Sequence, residues 1–347
     1  MKIFISTKQL HSASSTRGIG VYTRELVTSL QKHYPKDKVL TAERKQKNEL
    51  VDIIHYPFFD PFFLTLRVIW NIPTVVTIHD LIPLKFPSHF PVGWRGKLNW
   101  HIQKLLLRFM SQIITDSHSS KKDIIKYTGI EKDKISVIYL GPNKSKTVPV
   151  RMSNKIFNNY NLPEKFLLYV GDINWNKNVP GLIDAYSALK DQDLHLVLVG
   201  KVFGDKPAIP EYRAVINAIA RSSKKDKIKL LGFVPSHHLS VIYSRATLYV
   251  QPSWYEGFGL PVLEAMKFGC PVASSDRGSL REIGGDAVVY FDPAKNMRET
   301  IERLIVNNAK LTELKSLGIA QAAKFTWENT AQLTHSVYSK ILNKDIV

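Results

Sequence analysis

The stretch PSWYEGFGLPVLEAMKFGCP, residues 252–271, sets two carboxylates, Glu256 and Glu264, eight positions apart across a Gly-Phe-Gly turn. The residues leading into it, ATLYVQPS (246–253), are rich in β-branched and aromatic side chains and predict a short strand. Leu260-Pro261 predicts a helix start, because the amide that proline lacks would have no partner in the first turn. Gly269 followed by Pro271 predicts its end. Glu256 then falls in the loop after the strand, and Glu264 about one turn inside the helix. The amino end of a helix offers unpaired N–H groups and partial positive charge, which suits an anion. Gly257 and Gly259 let a ligand approach the backbone closely. The carboxylates repel an anion but accept hydrogen bonds from hydroxyls beside it, at about 1.5–3 kcal/mol for each charged hydrogen bond. A diphosphate flanked by hydroxyl-rich rings has this chemistry. Taken alone, the same letters also describe a solvated turn with Glu264 paired to Lys267.

Outward from this stretch, strand-like and helix-like segments alternate. In the first half KIFIS (2–6), VDIIHY (51–56), VVTIHD (75–80), QIITDS (112–117) and ISVIYL (135–140) read as strands. GVYTRELVTSLQKHY (20–34), RGKLNWHIQKLLLRFM (95–110) and SKKDIIKY (120–127) read as helices. The second half repeats the pattern with FLLYVG (166–171), LHLVLVG (194–200), IKLLGFV (228–234), TLYVQPS (247–253), PVASSD (271–276) and AVVYFD (287–292). Such alternation predicts parallel sheets covered on both faces. The segment 141–166, rich in Pro, Asn and Lys, marks a boundary. The expected division is 1–150, 151–325, and an amphipathic tail helix over 326–347.

The 347 residues are enough for two domains with real cores, and 44% apolar content is that of a globular chain. The one cysteine, Cys270, excludes a disulfide framework and a cysteine-based zinc site, and its neighbours suggest a packing role. The opening residues lack the apolar core of a signal peptide. No apolar run reaches the roughly 20 residues that span a bilayer. A cytoplasmic protein, soluble or peripheral on the inner face of a membrane, is expected. Net charge is +18 and uneven: residues 1–150 carry 23 Lys and Arg against 11 Asp and Glu, and the rest 25 against 19. Such a surface attracts anionic partners, but no nucleic-acid-binding motif is present, and none of these partners is expected to be nucleic acid.

EGFGLPVLE, within 231–293, resembles the E-x7-E motif of the GT-B-fold retaining glycosyltransferases of family 4. The likeness extends to YVGDINWNKNVPGLIDAY (169–186), SSTRGIGVYTREL (14–26), TIHDLIP (77–83) and TDSHSSKKDI (115–124). The resemblance implies an α/β GT-B architecture, two Rossmann-like doubly wound domains facing across a cleft, the first on the acceptor side and the second binding the donor, with the tail helix 326–347 crossing back to the first. It implies transfer of a hexose such as glucose or mannose, with retention, from a nucleoside-diphosphate sugar to a hydroxyl of a saccharide or lipid-linked glycan. Synthesis of a cell-surface polysaccharide, lipopolysaccharide or capsule is the expected setting. No metal and no cofactor beyond the donor substrate is expected.

By the same resemblance Glu256 takes hydroxyls of the transferred sugar and Glu264 those of the ribose. Lys177 neutralises the diphosphate together with backbone around Phe258, Gly259 and Leu260. The base lies by LGFVPS (231–236), which includes Val234. Gly18 and Gly20, beside Arg17, line the cleft between the first strand and first helix, and His79 lies against the transferred sugar. Glu256, His79 and Lys177 are the expected catalytic residues. Where the family commonly has arginine this chain has Asp172 and Asn176, which leaves one cation where two are usual; Lys201 is a candidate substitute. Ser117 or Ser119 is expected to cap a helix. Other readings are a sugar-nucleotide epimerase on the same fold, or a basic surface-binding protein without catalysis.

Two segments stand apart. DQD (191–193) imitates a metal-binding D-x-D but lies in a polar turn. WRGKLNWHIQKLLLRFM (94–110) mixes Trp94, Trp100 and Phe109 with Arg95, Lys97, Lys104 and Arg108. It reads equally as a helix lying on an anionic membrane or as a packed surface helix with solvated lysines. The aromatic loop HYPFFDPFF (55–63) adds weight to membrane contact or to a sugar-binding wall.

Overall fold

The computed structural model describes residues 1–11, 18–46, 49–145 and 148–344. The chain forms two compact units, Met1–Gly141 joined by the segment from Phe325 onward, and Pro142–Lys324. The change of unit falls at Gly141, and the segment that follows carries a helix, Val150–Asn159.

The first unit holds strands β1 (Lys2–Ser6), β2 (Lys38–Ala42), β3 (Ile53–Tyr56), β4 (Thr74–Thr77), β5 (Gln112–Thr115) and β6 (Ile135–Val137). They pair in parallel in the order β2-β1-β3-β4-β5-β6. The inner strands β3 and β4 are almost wholly buried, which is why IIHY and TVVT are short apolar runs rather than alternating ones. β2 escapes the sequence reading for the opposite reason. It is an edge strand with no fully buried residue, so KVLTA carries little apolar signal. The first helix, Gly18–His33, starts earlier than expected, so Gly18 and Gly20 lie in its first turn and not in the loop before it. Arg17 lies outside the described residues. Ser117 caps the helix His118–Thr128, its hydroxyl accepting from the Ser120 amide at 3.0 Å, as expected.

The tail helix Trp327–Lys344 packs on the helix Gly18–His33 and buries Trp327, Ala331, Thr334 and Tyr338. The Tyr338 hydroxyl meets His55 Nδ1 at 2.5 Å inside the unit.

The second unit holds β7 (Phe166–Val170), β8 (His195–Val199), β9 (Ile228–Leu231), β10 (Leu248–Gln251), β11 (Val272–Ser275) and β12 (Val289–Phe291). The order is β12-β11-β10-β7-β8-β9, all parallel. This is the doubly wound order, with its reversal between β7 and β10. Leu167, Leu196, Leu198, Leu248 and Val250 are fully buried in its core, each contributing about 1.5–3 kcal/mol. Ligands in such sheets collect beyond the strands' carboxyl ends at the reversal, so the loops after β7 and β10 are where a site belongs.

Candidate functional site

Those two loops are stitched together. The Trp254 amide donates to the Asn176 carbonyl at 2.7 Å. The Asn176 side-chain amide donates to the Tyr255 carbonyl at 3.0 Å, and that of Asn178 to the Pro252 carbonyl at 3.1 Å. Both asparagines are buried. The stitching aims Lys177 at Glu256: its Nζ donates to both carboxylate oxygens, at 2.8 Å each. The Glu256 carboxylate is largely buried and also accepts from Gln251 Nε2 at 3.0 Å and Ser253 Oγ at 2.7 Å.

The loop after β11 forms the third wall. Ser279 donates its amide to the Glu256 carbonyl at 3.1 Å and its hydroxyl to the Phe258 carbonyl at 2.7 Å. Ser275 Oγ donates to the Ser253 carbonyl at 2.6 Å. Gly278, at φ +66°, lies so close that a Cβ there would stand 2.3 Å from the Glu256 carbonyl oxygen.

The helix Leu260–Lys267 follows with Gly259 at its cap, φ +103°, a conformation that favours glycine. Phe258 is buried, while Leu260 and Glu264 are partly accessible. Glu264 accepts from the Tyr243 hydroxyl at 3.2 Å. Desolvation pushes its pKa from 4.5 up to about 7, against the opposing pull of Tyr243, Lys267 and the Asn143 backbone. Lys267 donates to the Asn143 carbonyl, and its charge also acts on Glu264. Glu256, Lys177, Phe258, Gly259, Leu260 and Glu264 therefore share one end of the sheet. Val234 is buried past the carboxyl end of β9, at the same end of the sheet, with β8 and β7 between that strand and β10.

In the first unit, His79 follows β4 and is bracketed by residues that follow the flanking strands. Its Nδ1 faces Asp116 Oδ2, beyond β5, at 2.6 Å, and its Nε2 faces the Pro57 carbonyl, beyond β3, at 3.2 Å. Tyr22, from the helix that begins with Gly18 and Gly20, meets the ring edge-on at 4.8 Å. Burial disfavours charge on this imidazole, but the Asp116 carboxylate, the hydrogen bond to it and Asp80 outweigh burial and raise the pKa above its usual value. A doubly protonated ring satisfies both acceptors at once. His55 is the reverse case: burial, then the His79 charge, lower its pKa to about 3. The neutral ring bridges Tyr338 and Thr77 Oγ1, the latter at 2.8 Å.

The profile described as Glycosyltransferase Family 4 matches residues 17–146, and that of Glycosyl transferases group 1 matches residues 152–320. The chain belongs to glycosyltransferase family 4. An uncharacterized glycosyltransferase of Methanocaldococcus jannaschii is 30% identical over 355 residues, which cover 92% of this chain and 84% of that one. The serotype-specific mannosyltransferase WbdA of Escherichia coli is 32% identical over 285 residues, 78% of this chain. The match takes in only 34% of WbdA, so the chain spans about a third of the first curated relatives it matches. O-antigen chain mannosyltransferase B of Escherichia coli is 29% identical over 317 residues, 86% of this chain and 78% of that protein. Among solved structures, Anabaena HepE in complex with UDP and glucose superposes with a TM-score of 0.76 at 19% identity, over 98% of this chain and 100% of that one. That likeness is of fold, and the fold is GT-B.

The two departures from the family pattern, at 172 and 176, both hold the loop after β7 in place. Asn176 is buried and tethers the β10 loop, while the Asp172 carboxylate accepts from the Ile173 amide at 2.9 Å. Lys201 is mostly exposed, beside Asp205 at 4.0 Å, so nothing directs it toward Glu256. DQD is the polar turn it reads as: Asp191 pairs with Lys165 at 2.5 Å and accepts from the Asp193 and Leu194 amides. Cys270 is buried, which pushes its thiol pKa up to about 12.

Sequence reasoning missed Gln251, Ser253, Gly278 and Ser279 around Glu256, and Asp116 and Pro57 around His79. Gln251 and Asp116 left a faint signal, as polar residues at the ends of otherwise apolar strands. The rest are ordinary loop letters until the loops are brought together.

Proposed function

We propose that this family 4 protein transfers a hexosyl group from a nucleoside-diphosphate sugar to a hydroxyl of a saccharide or lipid-linked glycan in cell-surface polysaccharide synthesis. Mannose leads the candidate sugars, because the relatives WbdA and O-antigen chain mannosyltransferase B are mannosyltransferases. The observation that carries the reading is the Lys177–Glu256 pair at the reversal of the second sheet, beside the amino end of Leu260–Lys267.

In this reading the diphosphate takes the ammonium of Lys177 from Glu256, and Glu256 turns its freed acceptor capacity to sugar hydroxyls. Glu264 accepts from the ribose. The bond between the anomeric carbon and the β-phosphate oxygen breaks with its electron pair going to the nucleoside diphosphate. The acceptor oxygen bonds to that carbon on the face the phosphate leaves, so configuration is retained. The acceptor proton passes to the departing phosphate. Lys177 and the helix amides stabilise the charge that develops there, with each preorganised donor worth on the order of 3 kcal/mol. His79, doubly protonated between Asp116 and Pro57, acts in this reading as a fixed cation and not as a proton acceptor. The reaction needs no metal, and the protein works at the cytoplasmic face of a membrane. Among the described residues no helix is long and apolar enough to cross one.

A thermal-shift screen of UDP, GDP and their glucose and mannose conjugates tests the donor, since a ligand of the native state raises its stability by mass action. One nucleotide series should raise the melting temperature, and Lys177→Ala should remove the rise. Turnover of the sugar conjugate that binds should fall at least about a hundredfold in Lys177→Ala and Glu256→Ala, and persist in excess EDTA. Wild-type rates in either variant would refute the site, and loss in EDTA restored by a divalent ion would refute metal independence.

A further inference from the structure

The helix Trp94–Leu107 is apolar on more than one side. Its inner side combines Leu107, buried in the core with Trp100 and Leu106 against it, with polar anchors. Gln103 is fully buried, accepts from the amides of Thr65 and Leu66 at 3.1 and 3.0 Å, and donates to the carbonyls of Asp60 and Phe63 and to the Thr65 hydroxyl. Asn99 donates to the Phe62 carbonyl at 2.9 Å. Its outer side is apolar. Trp94, Leu98, Ile102, Leu105 and, just past its end, Phe109 follow one another at steps of three or four residues, and each faces solvent, Trp94 at 70% exposure. A surface helix ordinarily turns such a stripe inward.

The polar inner contacts also hold the loop 60–66 against the helix, and that loop presents Phe63 at 71% and Leu64 at 54% exposure. Trp70, 71% exposed, meets Phe109 edge to face at 5.6 Å. A helix, a loop and a tryptophan of the first unit thus each present large apolar side chains to solvent, and Trp70 joins the helix stripe at Phe109. The helix and the chain on either side of it carry one sign of charge, and the acid of the neighbouring loop, Asp60, accepts from the Phe62 and Phe63 amides. From Leu81 to Thr115 the sequence has no Asp or Glu, while Lys85, Arg95, Lys97, Lys104 and Arg108 lie in it, and exposed Arg67 adds another. Arg95 lies over the Trp94 ring at 5.3 Å, at the rim of the stripe.

We propose that this surface docks on an anionic lipid bilayer. The aromatic and aliphatic stripe enters the boundary between headgroups and acyl chains, and the Arg and Lys rim meets anionic headgroups. Charge complementarity favours lipid over protein: an apolar stripe interleaved with arginine and lysine, on a helix without acids, suits a negatively charged interface, whereas lysine is depleted from protein interfaces. Tryptophan settles at headgroup depth, and phenylalanine and leucine on the apolar face of an interfacial helix reach the acyl boundary. No residue of the transfer site belongs to this surface, so loss of either function leaves the other intact.

The test is co-sedimentation of the full chain with phosphatidylcholine vesicles, with and without one third phosphatidylglycerol. Wild type should partition at least about tenfold better onto the anionic vesicles, and added salt should weaken that partition. Leu98→Glu with Leu105→Glu, at exposed positions, should lower partition at least about tenfold with the far-ultraviolet dichroism unchanged, and Arg95→Glu with Arg108→Glu should do the same. Val306→Glu, at a still more exposed apolar position in the second unit, serves as the control and should not change it. Equal partition onto both vesicles, no effect of the Leu98 and Leu105 changes, or a stable dimer in ultracentrifugation that those changes break, would each overturn the proposal. The last would assign the surface to a second copy of the chain.

Discussion

Glu256 and Glu264 are eight residues apart and are treated very differently by their surroundings. Glu256 is met by three donors, Lys177, Gln251 and Ser253. Glu264 has the Tyr243 hydroxyl at 3.2 Å, and desolvation raises its pKa to about 7. The sign of the consequence follows from linkage. Between 4.5 and about 7 the native carboxyl holds a proton that the unfolded chain has released, so stability falls as pH rises through that window. Urea unfolding of the ligand-free protein near the two ends of the window should show this fall, and Glu264→Gln should lack its share of it. The same pH slope in both proteins would show that Glu264 ionises normally. In the proposed role the ribose hydroxyls donate to the ionised form, so nucleotide affinity should strengthen as pH rises through about 7 and lose that dependence in Glu264→Gln.

At the scale of elements, the second unit is a sheet whose carboxyl-end loops are fastened to one another more than to solvent. The strands and helices of this unit were legible because inner parallel strands are continuous apolar runs, and because Leu260-Pro261 and Gly269 punctuate the motif helix. The fastening was not legible. Asn176, at a position expected to hold arginine, reads as a lost charge; in the structure it is the tether between the β7 and β10 loops. Gly278 reads as a turn residue; its φ of +66° and the neighbouring Glu256 carbonyl give it a second reason to be glycine. Gly278→Ala should therefore destabilise the protein by about 2–4 kcal/mol, combining left-handed strain with a backbone clash. It should also weaken donor binding, because the carbonyl that must move belongs to Glu256. Urea titration reads the first effect and the thermal-shift screen the second. A substitution that changes neither would mean that the β11 loop does not fix Glu256.

On the scale of the molecule, the tail returns to the unit that the chain began with. The helix Trp327–Lys344 brings Tyr338 to His55, which bonds Thr77, and Thr77 Oγ1 in turn meets the Tyr22 hydroxyl at 2.9 Å. Tyr22 lies against His79. The tail thus closes a buried polar chain that ends beside the first unit's site residue. Tyr338→Phe keeps the packing and leaves one nitrogen of a buried, neutral His55 without its partner, so it should lower stability by about 1–3 kcal/mol. Chemical unfolding measures this, and an unchanged midpoint would show that the bond contributes nothing net.

The sequence by itself determined the alternation of elements, the two sheets, the strand–turn–helix around Glu256 and the family. Each of these is a local pattern, set by burial periodicity and by where glycine and proline can stand. Tertiary structure alone decided which polar side chains meet: Gln251 and Ser253 on Glu256, Asp116 and Pro57 on His79, Tyr338 on His55. It also decided that Gln103 turns inward and Trp94 outward. Those pairings depend on the order in which strands lie in a sheet, and strand order arises from long-range packing that no short window of sequence contains.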